Sequence, residues 1–214
     1  MIYFDLETRS EVDLLKVGAW VYSQHPSTEV MCMAHKWDDR PTELWVPQSY
    51  EALSQRLSPT IGADNLIYHL PPAAPRWVKE ARRMAHNAWF ESCMWINCLV
   101  PKYGFPEVPA DLWYCSSAWA AQFAIPKSLE GAGQALGLDV QKDKEGHTLM
   151  LKMCKPTKAW MDGDKDAPKW HEDPKDLERL YQYCIQDVDT EYELAQRLGA
   201  MSKRLGDTTF GGLE

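Results

Sequence analysis

Ile2-Tyr3-Phe4-Asp5-Leu6-Glu7-Thr8 alternates with a period of two, the signature of a β-strand. Tyr3, Asp5 and Glu7 fall on one face, Phe4 and Leu6 on the other. Side chains two apart on a strand project the same way, so the two carboxylates converge. Acids paired on an apolar strand repel each other and lose hydration unless something positive sits between them. A hard divalent cation with oxygen ligands is the simplest remedy. From these residues alone, an exposed edge strand with solvated charges reads equally well.

The chain around this strand has 214 residues, enough for one well-cored domain and short for two. Its hydrophobic fraction of 45% and charged fraction of 25% exclude a collagen-like, coiled-coil or wholly disordered protein. No stretch approaches the roughly 18 apolar residues of a membrane span. The first residues lack the basic flank and long apolar run of a signal peptide. These features predict a cytoplasmic protein with no membrane partner. The six cysteines form no C-x-x-C pair, so they read as small buried hydrophobes rather than zinc ligands or disulfides. A net charge of −8 argues against gripping long stretches of phosphate backbone. It leaves room for an enzyme that holds a few nucleotides through metal ions. The ten tryptophans suit core and pocket walls, with some available to stack on bases.

Strands are predicted at Val30–Trp37, Glu43–Val46 and Arg83–His86, with Leu112–Tyr114 a fifth candidate. Leu66–Tyr68 is strand-like but has no evident partner, and Pro71–Pro75 reads as a loop. Ser49 would cap a short helix through Leu57. Further helices are expected at Ala88–Val100 (ended by Pro101, Gly104 and Pro106), Ser116–Phe123 and Leu129–Leu136. Residues 155–174 read as a solvated loop. A long helix follows from Pro174 to about Leu198, its apolar residues Leu177, Leu180, Tyr181, Cys184, Val188 and Tyr192 stepping at three or four. The expectation is one α/β domain over 1–200 and a C-terminal tail over 201–214.

Two more constellations carry chemistry. Tyr183-x-x-x-Asp187 on the long helix stacks a phenol and a carboxylate on one face; a surface acid beside a half-buried tyrosine is the plainer account. His86-Asn87-x-x-Phe90-Glu91 sits at a strand-to-helix junction, where Asn87 could simply cap the helix and Glu91 favour its dipole. Gly131-x-Gly133-x-x-x-Gly137 follows no strand and is no phosphate loop. Cys93 and Cys98 share a helix face too poorly for zinc. His35, His69, His147 and His171 have no metal-ligand spacing.

Taken together and in order, Asp5-x-Glu7, Glu91 four residues after Asn87, and Tyr183-x-x-x-Asp187 resemble the three motifs of the DEDD superfamily. The chain is similar to DnaQ-like 3′→5′ exonucleases, and more closely to the proofreading domain of phage-type family A DNA polymerases, from residue 2 to about 198. Gln182 stands where one branch has histidine and Tyr183 where the other has tyrosine, so the tyrosine branch is indicated. Glu91 departs from the usual aspartate. Lys142–Gly146 and Cys154-Lys155-Pro156 resemble the phage-like group.

The resemblance implies an RNase H-like fold with a mixed five-stranded sheet, three strands antiparallel and two parallel, flanked by helices. It implies a metal-dependent hydrolase that removes nucleoside 5′-monophosphates from a DNA 3′ end, with two divalent ions (Mg²⁺ or Mn²⁺) about 4 Å apart. Asp5, Glu7, Glu91 and Asp187 would be the metal ligands, with Asp5 shared, and Tyr183 would orient the water. Leu6, Thr8, Asn87 and Phe90 would contact the terminal nucleotide, with Trp89, Trp113 and Trp119 as further stacking candidates. The partners would be a single-stranded DNA 3′ end and a DNA polymerase chain or domain. An oligoribonuclease-like RNA exonuclease and a non-catalytic exonuclease-fold binding module are the alternatives.

Overall fold

The computed structural model describes residues 1–47, 67–68, 81–138 and 143–205. Strand β1 (Ile2–Arg9) lies inside the sheet, flanked on both sides. β2 (Glu29–Trp37) pairs antiparallel with β1, and β3 (Glu43–Trp45) antiparallel with β2. A two-residue strand, β4 (Ile67–Tyr68), runs parallel to β3. On the other side β5 (Arg83–Ala85) is parallel to β1, and β6 (Trp113–Cys115) is parallel to β5. The order is β4-β3-β2-β1-β5-β6. Five of these strands make the expected mixed sheet. The sixth is β4 itself, for which β3 supplies the partner that Leu66–Tyr68 lacked in the sequence.

The alternation of β1 creates two cores. Tyr3 packs with Ala34, Leu180, Cys184 and Val188 on one face. Ile2, Phe4 and Leu6 pack with Trp45, Met94, Trp95 and Cys98 on the other. Burying each such large side chain contributes roughly 1.5–3 kcal/mol. The register slips between Glu7 and Thr8, which face Cys32 and Val30 respectively. Met31 is therefore an extra residue on β2, and Met31 and Cys32 turn toward the same core. Such a bulge bends the strand and re-aims the side chains beside it.

Helix α1 (Leu14–Gln24) is capped by Asp13, whose side chain accepts from the Leu15 amide at 2.9 Å. The sequence reading assigned nothing here, because Gly18 (φ 73°, ψ 162°) splits the helix into two pieces and breaks its period. Helix α2 (Ala88–Met94) passes through a π turn (Trp95–Leu99) into α3 (Val100–Tyr103), which ends at Gly104 with φ 73°. Pro101 does not stop the helix. It occupies the first turn of α3 just after the widened turn, where a missing N–H costs little. Helices α4 (Ser116–Gln122) and α5 (Leu129–Leu136, capped by Ser128) match expectation.

Helix α6 (Lys144–Met153), capped by Asp143, was not foreseen. The expected loop contains one helical turn, α7 (Lys158–Met161), closed by a bond from the Thr157 amide to the Lys169 carbonyl at 2.8 Å. Helix α8 (Pro174–Leu205) runs past the predicted end at Leu198 and across the boundary at residue 200. Ser202, fully buried, accepts a hydrogen bond there from Trp119 Nε1 at 3.1 Å. Residues of α4, α5, α6 and α8 cover the Tyr3 face, and residues of α1, α2 and the π turn cover the Phe4 face.

All six cysteines are free thiols, with Cys32, Cys93, Cys98 and Cys184 buried and Cys115 and Cys154 half-buried. Among the described residues no helix is long and apolar enough to cross a membrane. The helix expected from Ser49 to Leu57, the Pro71–Pro75 loop and the tail beyond Leu205 lie outside the described residues.

Candidate active site

β1 presents Asp5 and Glu7 toward α8, as its alternation predicts. The Cys184 thiol donates to the Asp5 carbonyl at 3.6 Å, and the Tyr3 and Tyr192 rings meet edge-on with centroids 5.2 Å apart. Glu7 is buried and Asp5 half-buried. From α8, Tyr183 hydrogen-bonds to Asp187 one turn later. From α2, Glu91 is buried to 4% exposure in its first turn.

The acids respond to one another. Burial pushes the Asp5 carboxyl up to about 6. Burial, and then the Asp5 charge, push Asp187 up to about 8, while the Tyr183 hydroxyl pulls it back down. Glu7 is driven well above the carboxylate range by burial and by Asp5, with Asp187 adding to it. Glu91 is driven up by burial and by Asp5. Burial and then Asp187, Glu7 and Asp5 also raise the Tyr183 phenol, so it remains an O–H at neutral pH. Asp5 is thus the one acid whose charge every other member feels. Glu7, Glu91, Tyr183 and Asp187 therefore lie within electrostatic reach of Asp5.

Among the described residues no three His, Cys, Asp or Glu side chains stand close enough, as oriented, to enclose an ion. The donor set nevertheless fits hard divalent cations. Asp5 Oδ2 and Glu91 Oε2 are buried oxygens without a hydrogen-bond donor, and a buried acceptor left unpaired is costly. Oxygen-only ligands of this kind suit Mg²⁺ or Mn²⁺.

The residues read as substrate contacts are spread over two faces. Thr8 is buried and its hydroxyl lies 3.0 Å from Tyr22 Oη. Phe90 is half-buried, its ring 6.1 Å from that of Tyr22. The Leu6 side chain belongs to the core on the opposite face of β1 from Asp5, so its main chain is the part that faces the acids. Asn87 is exposed and left-handed (φ 80°, ψ 50°), and its side chain makes no cap; its carbonyl accepts from the Phe90 amide at 2.9 Å instead. The capping account of Asn87 is therefore replaced by a sharp strand-to-helix turn that frees its amide. Of the three tryptophans, Trp119 is fully buried and Trp113 half-buried, whereas Trp89 is 62% exposed and stacks on Trp20.

Three site residues escaped the sequence reading. Asp143 accepts from the Gly146 amide at 2.8 Å and from Arg179, and its charge reaches Asp187. Gly146 packs so tightly that a Cβ there would lie 2.5 Å from Tyr183 Cδ2. Both fall in or beside the Lys142–Gly146 stretch, which the sequence reading marked by resemblance without a role. Glu191 is 1% exposed, one turn beyond Asp187. Its i, i+4 spacing from Asp187 was the available signal.

No protein-family model matches the chain. A DNA polymerase of Bacillus phage SP02 is 30% identical over 197 residues, an alignment that takes in 91% of this chain and 27% of the polymerase. The chain thus spans about a quarter of the length of this relative, consistent with a polymerase-associated domain.

Proposed function

We propose that this chain is a metal-dependent 3′→5′ exonuclease of RNase H-like fold, tyrosine branch, which trims single-stranded DNA ends in association with a DNA polymerase. The observation that carries the reading is the electrostatic convergence of Asp5, Glu7, Glu91 and Asp187, from three separate elements, on the Asp5 carboxylate. The likeness to a phage DNA polymerase supports the substrate and partner.

Two divalent ions held by these four acids would supply the positive charge that stabilises the attacking and leaving oxygens of an in-line displacement at phosphorus. Asp5, whose charge reaches the other three, would hold the ions together with Glu7, Glu91 and Asp187. Tyr183 donates its proton to Asp187, which leaves its oxygen free to accept from the attacking water and turn a lone pair toward phosphorus. A phenol raised by burial is an orienting group, not a base. Attack by the water oxygen forms a new P–O bond and breaks the bond to the 3′ oxygen; the water's proton leaves to solvent and the 3′ oxygen takes one up from solvent as a nucleoside 5′-monophosphate is released. Thr8, Asn87 and Phe90 would hold that nucleotide.

The test is a gel assay on 5′-labelled single-stranded DNA with Mg²⁺ or Mn²⁺, beside EDTA and Asp5→Ala controls. The expected result is a metal-dependent ladder shortening from the 3′ end and absent in Asp5→Ala. Folded wild-type protein that cuts neither alone nor with its polymerase would overturn the enzymatic reading.

A further inference from the structure

Glu191 is a buried acid that the proposed chemistry does not use. Its Oε1 lies 2.7 Å from Ser116 Oγ, at the start of α4 and itself fully buried. Ser116 Oγ is 2.9 Å from His86 Nδ1, at the end of β5. The other ring nitrogen, His86 Nε2, is 2.6 Å from the Lys127 carbonyl in the α4–α5 connection, which also accepts from Ser117 Oγ at 2.8 Å.

The donors in this chain can be counted. A carbonyl only accepts, so His86 Nε2 carries a proton. Ser116 has a single hydroxyl proton for two short contacts, so one further proton must lie between Nδ1 and the carboxyl. That proton sits either on Nδ1, giving imidazolium and carboxylate, or on Glu191, giving imidazole and carboxylic acid. Both arrangements are neutral overall and satisfy every contact. Removing the proton leaves two buried lone pairs facing each other, a costly state. Burial lowers His86 and raises Glu191, which favours the uncharged arrangement.

The placement gives this relay a consequence. His86 directly precedes Asn87, where the chain turns into the helix that carries Phe90 and Glu91. Glu191 sits one turn beyond Asp187. We propose that His86, Ser116 and Glu191 form a positioning relay that pins the β5–α2 turn to α8, fixing Glu91 relative to Asp187 without adding a fifth negative charge to the metal site. The inference rests on the exonuclease reading. Glu191 acts through Glu91 and is not itself a ligand.

Two variants separate these roles. Gln at 191 reproduces the uncharged arrangement, because its amide donates to Ser116 Oγ and Ser116 then donates to Nδ1. Leu cannot. Calorimetry with Mn²⁺ alone should show Glu191→Gln within about threefold of wild type. Glu191→Leu and Ser116→Ala should be weakened by roughly 10-fold or more, the scale of lost outer-shell support. In ¹⁵N-histidine NMR of the metal-free protein, the His86 ring nitrogen shifts should match wild type in Glu191→Gln and move in Glu191→Leu. Equal weakening by Gln and Leu would make residue 191 a ligand and overturn the proposal. So would unchanged Mn²⁺ affinity in all three variants. Wild-type protein with no Mn²⁺ affinity would instead overturn the metal-dependent reading, and the relay's purpose with it.

Discussion

Glu91 concentrates the chemistry of the site in one side chain. It is 4% exposed, its Oε2 has no donor, and its carboxyl is pushed far above the usual range by burial and then by Asp5. In the absence of metal, such a group is an energetic burden on the fold. Glu91→Gln should therefore leave the melting temperature in EDTA unchanged or higher. DNA cleavage should fall by more than the roughly 10–100-fold that losses of outer-shell partners cost. Glu91→Asp should keep activity, since it retains the carboxylate and shortens its reach by only one methylene. Equal cleavage by the Gln and Glu proteins in the gel assay would place residue 91 outside the site. The acids of β1 were legible because a period of two assigns faces without ambiguity. Glu191 was not, since a buried acid and a solvated one are written alike on a helix: Glu193, two residues on, is exposed.

Between elements, the decisive contact is that of α6 with α8. Gly146 lets the first turn of α6 rest against the Tyr183 ring and the Asp143 carboxyl, each 2.5 Å from where a Cβ would be. Gly146→Ala should cost about 1–3 kcal/mol by overpacking and should lower the cleavage rate by displacing the phenol. In a Tyr183→Ala background the same substitution should cost less, though not nothing, because Asp143 remains. Urea denaturation of the four proteins closes this double-mutant cycle, and equal costs in both backgrounds would show that Tyr183 is not what Gly146 makes room for. This contact also explains why α6 was invisible beforehand. Its large apolar residues, Leu149, Met150, Leu151 and Met153, all lie in its second half, and its tightest packing is made by an absent side chain. α1 was missed for a related reason: Gly18 adopts a backbone reserved for glycine, and Leu15, Trp20 and Val21 are exposed, so no apolar stripe marks the helix. The long α8, with its regular buried series, was plain in the sequence except for its last turns.

Across the whole molecule, the site couples folding to pH. Asp5 and Asp187 rise from an ordinary carboxylate value to about 6 and about 8 on folding, and Glu7, Glu91 and Glu191 rise as well. The native state therefore binds protons more tightly than the unfolded chain. Their stabilising contribution is complete at pH values below the unfolded carboxylate range, about 4. It is lost progressively as pH climbs through the folded values near 6 and 8, because the unfolded chain then releases protons that the native state must also give up at a cost. In EDTA the melting temperature should accordingly decline between about pH 5 and pH 8. On the proposed reading, divalent cations would bind the ionised acids and stabilise the native state by mass action, so the rise in melting temperature from Mg²⁺ or Mn²⁺ should be small at pH 5 and large at pH 8. Melting curves at the two pH values, with and without the ion, read both effects. A melting temperature in EDTA that increases over this interval would mean that some other titration dominates. A metal-induced gain independent of pH would mean that the ion binds somewhere other than these carboxylates.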